Sequence, residues 1–374
     1  MTSPLDPPSD GAVLDLPGLE ADNLLGFLAL LGLLRALEAA RPGWRPRASW
    51  VNVPPDFNPG RPHARLHICE MGIGYEEIAE AVMDYRSSAA SGLTEFTSKL
   101  NLVPKNIGTD ESEEDDRKNK KTKLSPAERS ALYRSMAISA RSATQEASSK
   151  KENSDAAETR LSVVSSLARF VPCRDVKVGG YEPEETPLQL ASGNMGFVAT
   201  IRSLFADQYK TKKKKGADEG VAQGHILRSL AASWEFREKG ASLRLSPEED
   251  VRYAYRWNDP SPEGASDERG AAFLGVIGLL SLPLITAKNK FRLPGYAGDG
   301  ALGTMSWPIW RSDVQLSHAA ITALMADARL LQEKPDEKEL ATHGIVHVMR
   351  CRRFIQNSAT GNYGNVSVAI DVLQ

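Results

Sequence analysis

The sequence predicts an α+β protein, rich in helices, with small antiparallel sheets and a buried N-terminal helix. Three observations predict this class. Residues 23–37 form an almost unbroken leucine-rich run. Several short segments alternate apolar and polar residues, as half-buried strands do, and others repeat apolar residues with the period of a helix. Lysine-rich stretches interrupt these patterns and predict flexible inserts, because such segments bury little apolar surface.

The leucine-rich run shows no polar stripe before Arg35 and Glu38. A helix that is apolar all round is a buried helix. The unbroken apolar part, residues 24–34, is much shorter than the roughly 20 residues that a membrane span needs. We therefore expect the core helix of a protein that has no contact with a membrane.

The residues before this helix and the glycines within it lead to two further predictions. Asp22 or Asn23 can accept a hydrogen bond from a free amide in the first turn. Gly26 and Gly32 reduce helix propensity, so we expect the bare backbone to allow a neighbouring element to approach closely.

The remaining elements follow from the same periodicities. In chain order they include strands at 12–16, 49–53 and 64–69, helices at 75–85, 225–238, 273–280 and 316–331, and strands at 344–354 and 366–372. Residues 357–365 have the glycine and asparagine content of a turn. The helix at 273–280 repeats the pattern of residues 27–34: Phe-Leu, three residues, Gly-Leu-Leu. The two helices could pack on each other or occupy equivalent places in two halves of the protein.

Composition is that of an ordinary globular protein, with 41% hydrophobic residues and a net charge of −2. Cys69, Cys173 and Cys351 lie far apart, which is typical of a reducing compartment and predicts a cytoplasmic protein. Changes in composition divide the chain into an N-terminal α+β region at 1–107, a charged insert at 108–160, and a second α+β region at 161–374 with a lysine-rich loop at 208–222.

Catalytic signatures are incomplete. The Gly-Asn-Met-Gly segment at 193–196 lacks the third glycine of a dinucleotide fingerprint and the Gly-Lys-Ser/Thr ending of a P-loop, so a plain turn is favoured. Asp175 and Lys177 resemble half of a metal-dependent nuclease site, and Asp155 or Glu158 is a possible upstream carboxylate. That carboxylate lies in a polar stretch, whereas a magnesium site needs rigid ligands.

A zinc site is also incomplete. His343, His347 and Cys351 would lie on one side of a helix. Gly344 and the β-branched neighbours favour a strand, on which this alignment disappears. We predict no catalytic residues, no metal and no cofactor.

Basic and polar side chains give a stronger signal, because lysine and arginine neutralise phosphates, asparagine pairs with base edges and tyrosine stacks on bases. Three groups are candidates for contact with nucleic acid: Arg117, Lys118, Lys120, Lys121 and Lys123; Lys212, Lys213, Lys214 and Lys215; and Arg350, Arg352, Arg353, Asn357, Asn362, Tyr363 and Asn365. Each group has a simpler interpretation. The lysine clusters could be solvated loops, the first neutralised by the acidic block before it, and the last group could be a hairpin turn with exposed arginines.

The two ends of the chain resemble the small large-subunit-like proteins of type I CRISPR systems, especially the I-G (formerly I-U) branch. The resemblance is carried by residues 18–38, followed by Arg-Ala-Ser-Trp at 47–50, and by Trp-Pro-Ile-Trp at 307–310, the Gly-Ile to Arg-Arg-Phe segment at 344–354 and Gly-Asn-Tyr-Gly-Asn at 361–365. It does not extend to the middle of the chain.

This resemblance implies a non-catalytic subunit of a crRNA-guided surveillance complex (Cascade). Such a subunit recognises a protospacer-adjacent motif and helps to open the duplex, while guide pairing reads the sequence. Its partners would be CRISPR backbone subunits, crRNA, target double-stranded DNA and the helicase-nuclease. Two alternatives stay open: an accessory subunit that recruits the helicase-nuclease, and a metal-dependent nuclease around Asp175 and Lys177.

Overall fold

A computed structural model describes most of the two ends of the chain and short parts of its middle. The described residues are 11–53, 61–99, 173–176, 180–183, 204–205, 208–210, 217–236, 238–239, 243–249, 266–282, 285–287, 290–299, 302–358 and 361–373. The chain divides into two compact units. One comprises Met1–Ser87, Pro187–Ala287 and Arg292–Gln374, and the other comprises Ser88–Thr186 and Lys288–Phe291. The predicted division into three regions stays a prediction.

The described elements combine helices with small antiparallel sheets, which confirms the α+β class. The helices are α1 Leu24–Ala40, α2 Tyr75–Lys99, α3 Gln223–Ala231, α4 Arg269–Ser281, α5 His318–Met325 and α6 Glu337–Ala341. The strands are β1 Ala12–Glu20, β2 Arg47–Val51, β3 His63–Ile68, β4 Cys173–Val176, β5 Gly180–Pro183, β6 Gln208–Lys210, β7 Ala217–Glu219, β8 Glu238–Lys239, β9 Ser266–Asp267, β10 Ile285–Ala287, β11 Lys290–Arg292, β12 Tyr296–Asp299, β13 Leu302–Trp310, β14 Ile345–Ser358, β15 Gly361–Val366 and β16 Ile370–Asp371.

Helix α1 is the predicted core helix. Asn23 caps it, because its side-chain oxygen accepts a hydrogen bond from the amide of Leu25 at 3.0 Å. Every residue from Leu24 to Leu34 is buried, as expected for a helix without a polar stripe. No helix in the described part of the chain is both long enough and apolar enough to cross a bilayer.

Helix α4, the second leucine-rich helix, packs directly on α1. A Cβ atom on Gly32 would lie 1.8 Å from the carbonyl oxygen of Leu274, and one on Gly278 would lie 2.0 Å from that of Leu28. Leu28 and Gly32 hold the same places in the first pattern as Leu274 and Gly278 hold in the second. The contact is therefore reciprocal. Of the two options that the repeated pattern left open, direct packing of the helices is therefore the one observed. The prediction that Gly26 and Gly32 admit a close neighbour is confirmed, since a Cβ atom on Gly26 would lie 2.5 Å from the carbonyl oxygen of Glu20.

Two antiparallel sheets belong to the same compact unit as this helix pair. The N-terminal sheet has the order β1–β3–β2, and the C-terminal sheet has the order β12–β13–β14–β15, with β16 beside β14. Trp307 of β13 stacks on Phe27 with ring centroids 6.0 Å apart, and its indole donates a hydrogen bond to the carbonyl oxygen of Ala21 at 2.9 Å. Trp50 of β2 packs on Trp310 of β13 at 5.3 Å. The buried aromatic residues thus join both sheets to the core.

Several predicted boundaries were wrong. The helix predicted at 316–331 ends at Met325, because Asp327 caps a separate 3-10 turn, Ala328–Leu331. The helix predicted at 225–238 ends at Ala231, and α2 continues beyond residue 85 to Lys99. In the strand predicted at 366–372, only Val366, Ile370 and Asp371 are in strands.

The predicted turn at 357–365 also differs from the structure. Strand β14 continues to Ser358 and β15 begins at Gly361, so most of this segment is paired strand. Asn357 lies opposite Asn362 in the register, and Gln356 lies opposite Tyr363. The glycine and asparagine residues therefore occupy a hairpin whose connection lies outside the described residues.

Candidate nucleic-acid interface

The predicted contact residues do not all lie within the described residues. Arg117, Lys118, Lys120, Lys121 and Lys123 lie outside them, and so do Lys212, Lys213, Lys214 and Lys215, which follow β6 and precede β7 in the chain. Their contact with nucleic acid stays a prediction. The described candidates are those of β14 and β15.

Arg350 lies in the middle of β14, and its guanidinium is hydrogen-bonded to other groups of the protein. It donates hydrogen bonds to the hydroxyl of Ser306 at 2.8 Å and to the carbonyl oxygens of Leu330 and Gln332 at 2.9 and 2.6 Å. These carbonyls lie at the end of the 3-10 turn after α5. Arg350 therefore fastens this turn to the sheet, and a phosphate could reach it only if these bonds broke.

Arg353 is also internal. Only 3% of its surface is exposed. It lines a cavity of about 20 Å³ together with Tyr296, Cys351, Val366 and apolar residues of both leucine-rich helices, a volume close to that of one water molecule. We therefore assign Arg353 to the protein interior, although the sequence groups it with Arg350 and Arg352.

Arg352 differs from both. It is exposed, and within the described part of the chain no hydrogen bond or ion pair engages its guanidinium. Its backbone is held firmly, because its amide donates to the Ser367 hydroxyl at 2.9 Å and its carbonyl accepts from the Ser367 amide at 2.9 Å. Of the three predicted arginines, Arg352 alone presents a charge that a ligand can meet.

The register of the hairpin divides the predicted polar residues between two faces. Phe354 lies opposite Asn365, and Gln356 lies opposite Tyr363. Because successive positions of a strand alternate between faces, positions 363 and 365 lie on the face of Arg352. Positions 357 and 362 lie on the opposite face, which carries the buried residues Cys351, Arg353 and Val366. The sequence prediction did not separate these two groups.

The three residues considered for zinc do not converge. His343 is 2.9 Å from Arg329, and His347 contacts Asp371 at 2.6 Å. Burial raises the pKa of the Cys351 thiol to about 12, so the thiol stays protonated. The described residues contain no group of three or more His, Cys, Asp or Glu side chains that could hold a metal ion.

The other enzymatic candidates are largely outside the described residues. Asp175 lies in β4, opposite Tyr181 of β5. Lys177, Asp155, Glu158 and the segment 193–196 lie outside. The nuclease alternative stays untested.

The contact between His347 and Asp371 predicts a pH dependence. Burial raises the pKa of Asp371, but the hydrogen bonds from His347 and from the amides of Leu373 and Val348 outweigh this and lower it below 3.8. A lowered pKa stabilises the fold above the unfolded value, and the stabilisation is lost as the pH falls through the folded value. We expect Asp371→Asn to lower the free energy of unfolding at pH 7 by about 2 kcal/mol, and the difference from the wild type to shrink below pH 4.

Urea denaturation followed by tryptophan fluorescence, repeated from pH 7 to pH 3, measures this dependence. Asp313→Asn is the matched control, because Asp313 is exposed and pairs only with the exposed Arg311 among the described residues. Equal losses in the two variants at pH 7 would contradict the assigned role of Asp371.

Two exposed residues near Arg352 were missed from the sequence. Val368 is 68% exposed and Ile370 is 63% exposed. The alternation in residues 366–372 predicts a half-buried strand, which hides their exposure. The sequence feature that could have pointed to this surface is the distribution of charged residues. The segment from Leu340 to Ile370 contains three arginines but no Asp or Glu.

Residues 340–370 contain three arginines and several amide side chains but no acidic residue, and one of these arginines, Arg352, is exposed close to Val368 and Ile370. Such a surface can hold phosphates through arginine and contact bases through apolar and amide groups. No protein-family model matches the chain, and neither does any curated protein or solved structure. Any proposal about its function therefore rests on the residues of this chain, through their chemistry and the sequence resemblance described above.

Proposed function

We propose that this chain is a non-catalytic subunit of a crRNA-guided type I CRISPR effector complex, acting in the cytoplasm. In this proposal it contacts target double-stranded DNA, takes part in recognition of the protospacer-adjacent motif, and helps to open the duplex and stabilise the R-loop. Its partners would be the CRISPR backbone subunits, the crRNA and the helicase-nuclease. The resemblance of both chain ends to the family supports this assignment.

One structural observation carries the proposal: an exposed arginine without a protein partner among the described residues lies in a stretch that has no acidic residue. A phosphate can approach Arg352 without displacing a bond, whereas Arg350 and Arg353 are used inside the protein. Each phosphate neutralised by such a side chain releases counterions, which favours binding at low salt. We therefore assign the backbone-holding role to Arg352.

The test compares Arg352→Ala with Arg45→Ala. Both arginines are exposed, and neither guanidinium has a hydrogen-bonding partner in the described part of the chain. In the assembled complex with crRNA, we expect Arg352→Ala to weaken binding of a fluorescent target duplex by about fivefold, a modest loss typical of one phosphate contact. Arg45→Ala should bind as the wild type does. Equal affinity of all three proteins would contradict the proposal.

A further inference from the structure

The C-terminal sheet is covered over only part of one face. Around Val348, this face is buried under Leu330 of the 3-10 turn and Leu340 of α6. Arg350 lies at the edge of this covered part, because its guanidinium bonds the carbonyls at the end of the turn. Beyond Arg350, on the same face, lies the exposed Arg352.

Two exposed apolar residues lie near the arginine at the uncovered end of this face. Ile370 of β16 lies opposite Arg350 in the register, and Val368 follows Ser367, whose amide and hydroxyl bond the backbone of Arg352. Val368 and Ile370 are two of the four large apolar residues that are strongly exposed in the described structure; the others are Val13 and Met71. Two exposed apolar residues therefore lie close to a cation whose guanidinium has no bonding partner among the described residues.

The chemistry of this surface selects one kind of ligand. The positive charge, without any acidic residue from Leu340 to Ile370, suits an anion. Apolar side chains at the same place need an apolar surface on that anion. A duplex offers phosphates but stacks its bases inside, whereas a single strand offers both phosphates and open base faces.

We infer that the face formed by Arg352, Val368 and Ile370 binds unpaired nucleotides of a single strand. This inference rests on the proposed function and refines it: the site would hold a strand after the duplex has opened. Arg352 would hold a phosphate, while the apolar pair would cover one or two bases.

The experiment uses the full chain and two fluorescent probes, an oligothymidylate of about 16 nucleotides and a duplex of the same length. We expect the double variant Val368→Ser with Ile370→Ser to weaken binding of the oligothymidylate by about fivefold and to leave duplex affinity within twofold of the wild type. Val13→Ser with Met71→Ser removes a comparable exposed apolar pair elsewhere and should change neither affinity. Thermal melting shows whether each variant is folded.

Several outcomes would overturn the inference. If Val368→Ser with Ile370→Ser binds oligothymidylate as the wild type does, while Arg352→Ala weakens duplex binding, the inference fails and the proposed function stands. If the variant instead loses a protein subunit of the complex with unchanged oligothymidylate affinity, the surface is a protein interface. If the wild type binds neither probe, alone or in its complex, both the inference and the proposed function fail.

Discussion

Replacing Gly32 or Gly278 by alanine is expected to cost the protein about 3 kcal/mol of its free energy of unfolding. A methyl group on Gly32 would lie 1.8 Å from the Leu274 carbonyl oxygen, and one on Gly278 would lie 2.0 Å from that of Leu28. Both obstacles are backbone atoms, so the helices must separate. Alanine improves helix propensity by about 1 kcal/mol, which offsets only part of the loss.

Gly275→Ala is the matched control for this prediction, because Gly275 lies in the same buried helix α4. Its new methyl group would meet terminal methyl groups of Leu25 at 2.7 Å and of Leu243 at 3.9 Å, both of them the ends of flexible side chains. We expect this variant to unfold close to the wild type in urea, as monitored by tryptophan fluorescence. Unfolding free energies of Gly32→Ala and Gly278→Ala equal to that of Gly275→Ala would contradict the close helix contact.

Arg350→Ala is expected to destabilise the protein by about 3 kcal/mol, since one half-buried charged donor serves a hydroxyl and several carbonyl oxygens at once. Its removal leaves the hydroxyl of Ser306, which is fully buried, and the carbonyl oxygens of Leu330 and Gln332 without their donor. The 3-10 turn covers Val348 through Leu330, so we expect this cover to loosen as well.

The control for this variant is Arg352→Ala, which removes an exposed arginine two positions further along the same strand. Urea denaturation should give Arg352→Ala a stability near that of the wild type, and hydrogen exchange should show faster exchange of the Leu330 amide in Arg350→Ala alone. If both variants lost the same stability, the assignment of Arg350 to the fold and Arg352 to the surface would be wrong.

The sequence predicted the centre of the fold better than its edges. Helix α1 could be predicted because a segment without a polar stripe has no other stable place than the core. The sequence allowed the two leucine-rich helices either to pack on each other, as Gly32 and Gly278 show that they do, or to hold equivalent places in two halves. It could not decide between these because periodicity shows which face of a helix is buried but not which element covers it. Helix α5 ends before the predicted residue 331 because Asp327 caps a separate 3-10 turn. The apolar pattern continues through this turn, so periodicity did not show the break.

The candidate site was predicted only in outline. Residues 344–354 were identified as a strand, and the arginines as its charged residues, but their separate environments depend on distant parts of the chain. Arg350 is held by carbonyls near residue 330, and Arg353 is buried against elements as distant as α1. The division of the asparagines between two faces follows from the hairpin register, which the predicted turn did not define.

The salt dependence of target-duplex binding tests the central claim most directly. The affinity of the complex containing the wild-type chain, measured from low to physiological salt, should fall linearly on logarithmic axes, and Arg352→Ala should reduce the slope by about 1. A slope unchanged by Arg352→Ala, or a wild-type chain that contributes nothing to duplex affinity at any salt concentration, would contradict the account.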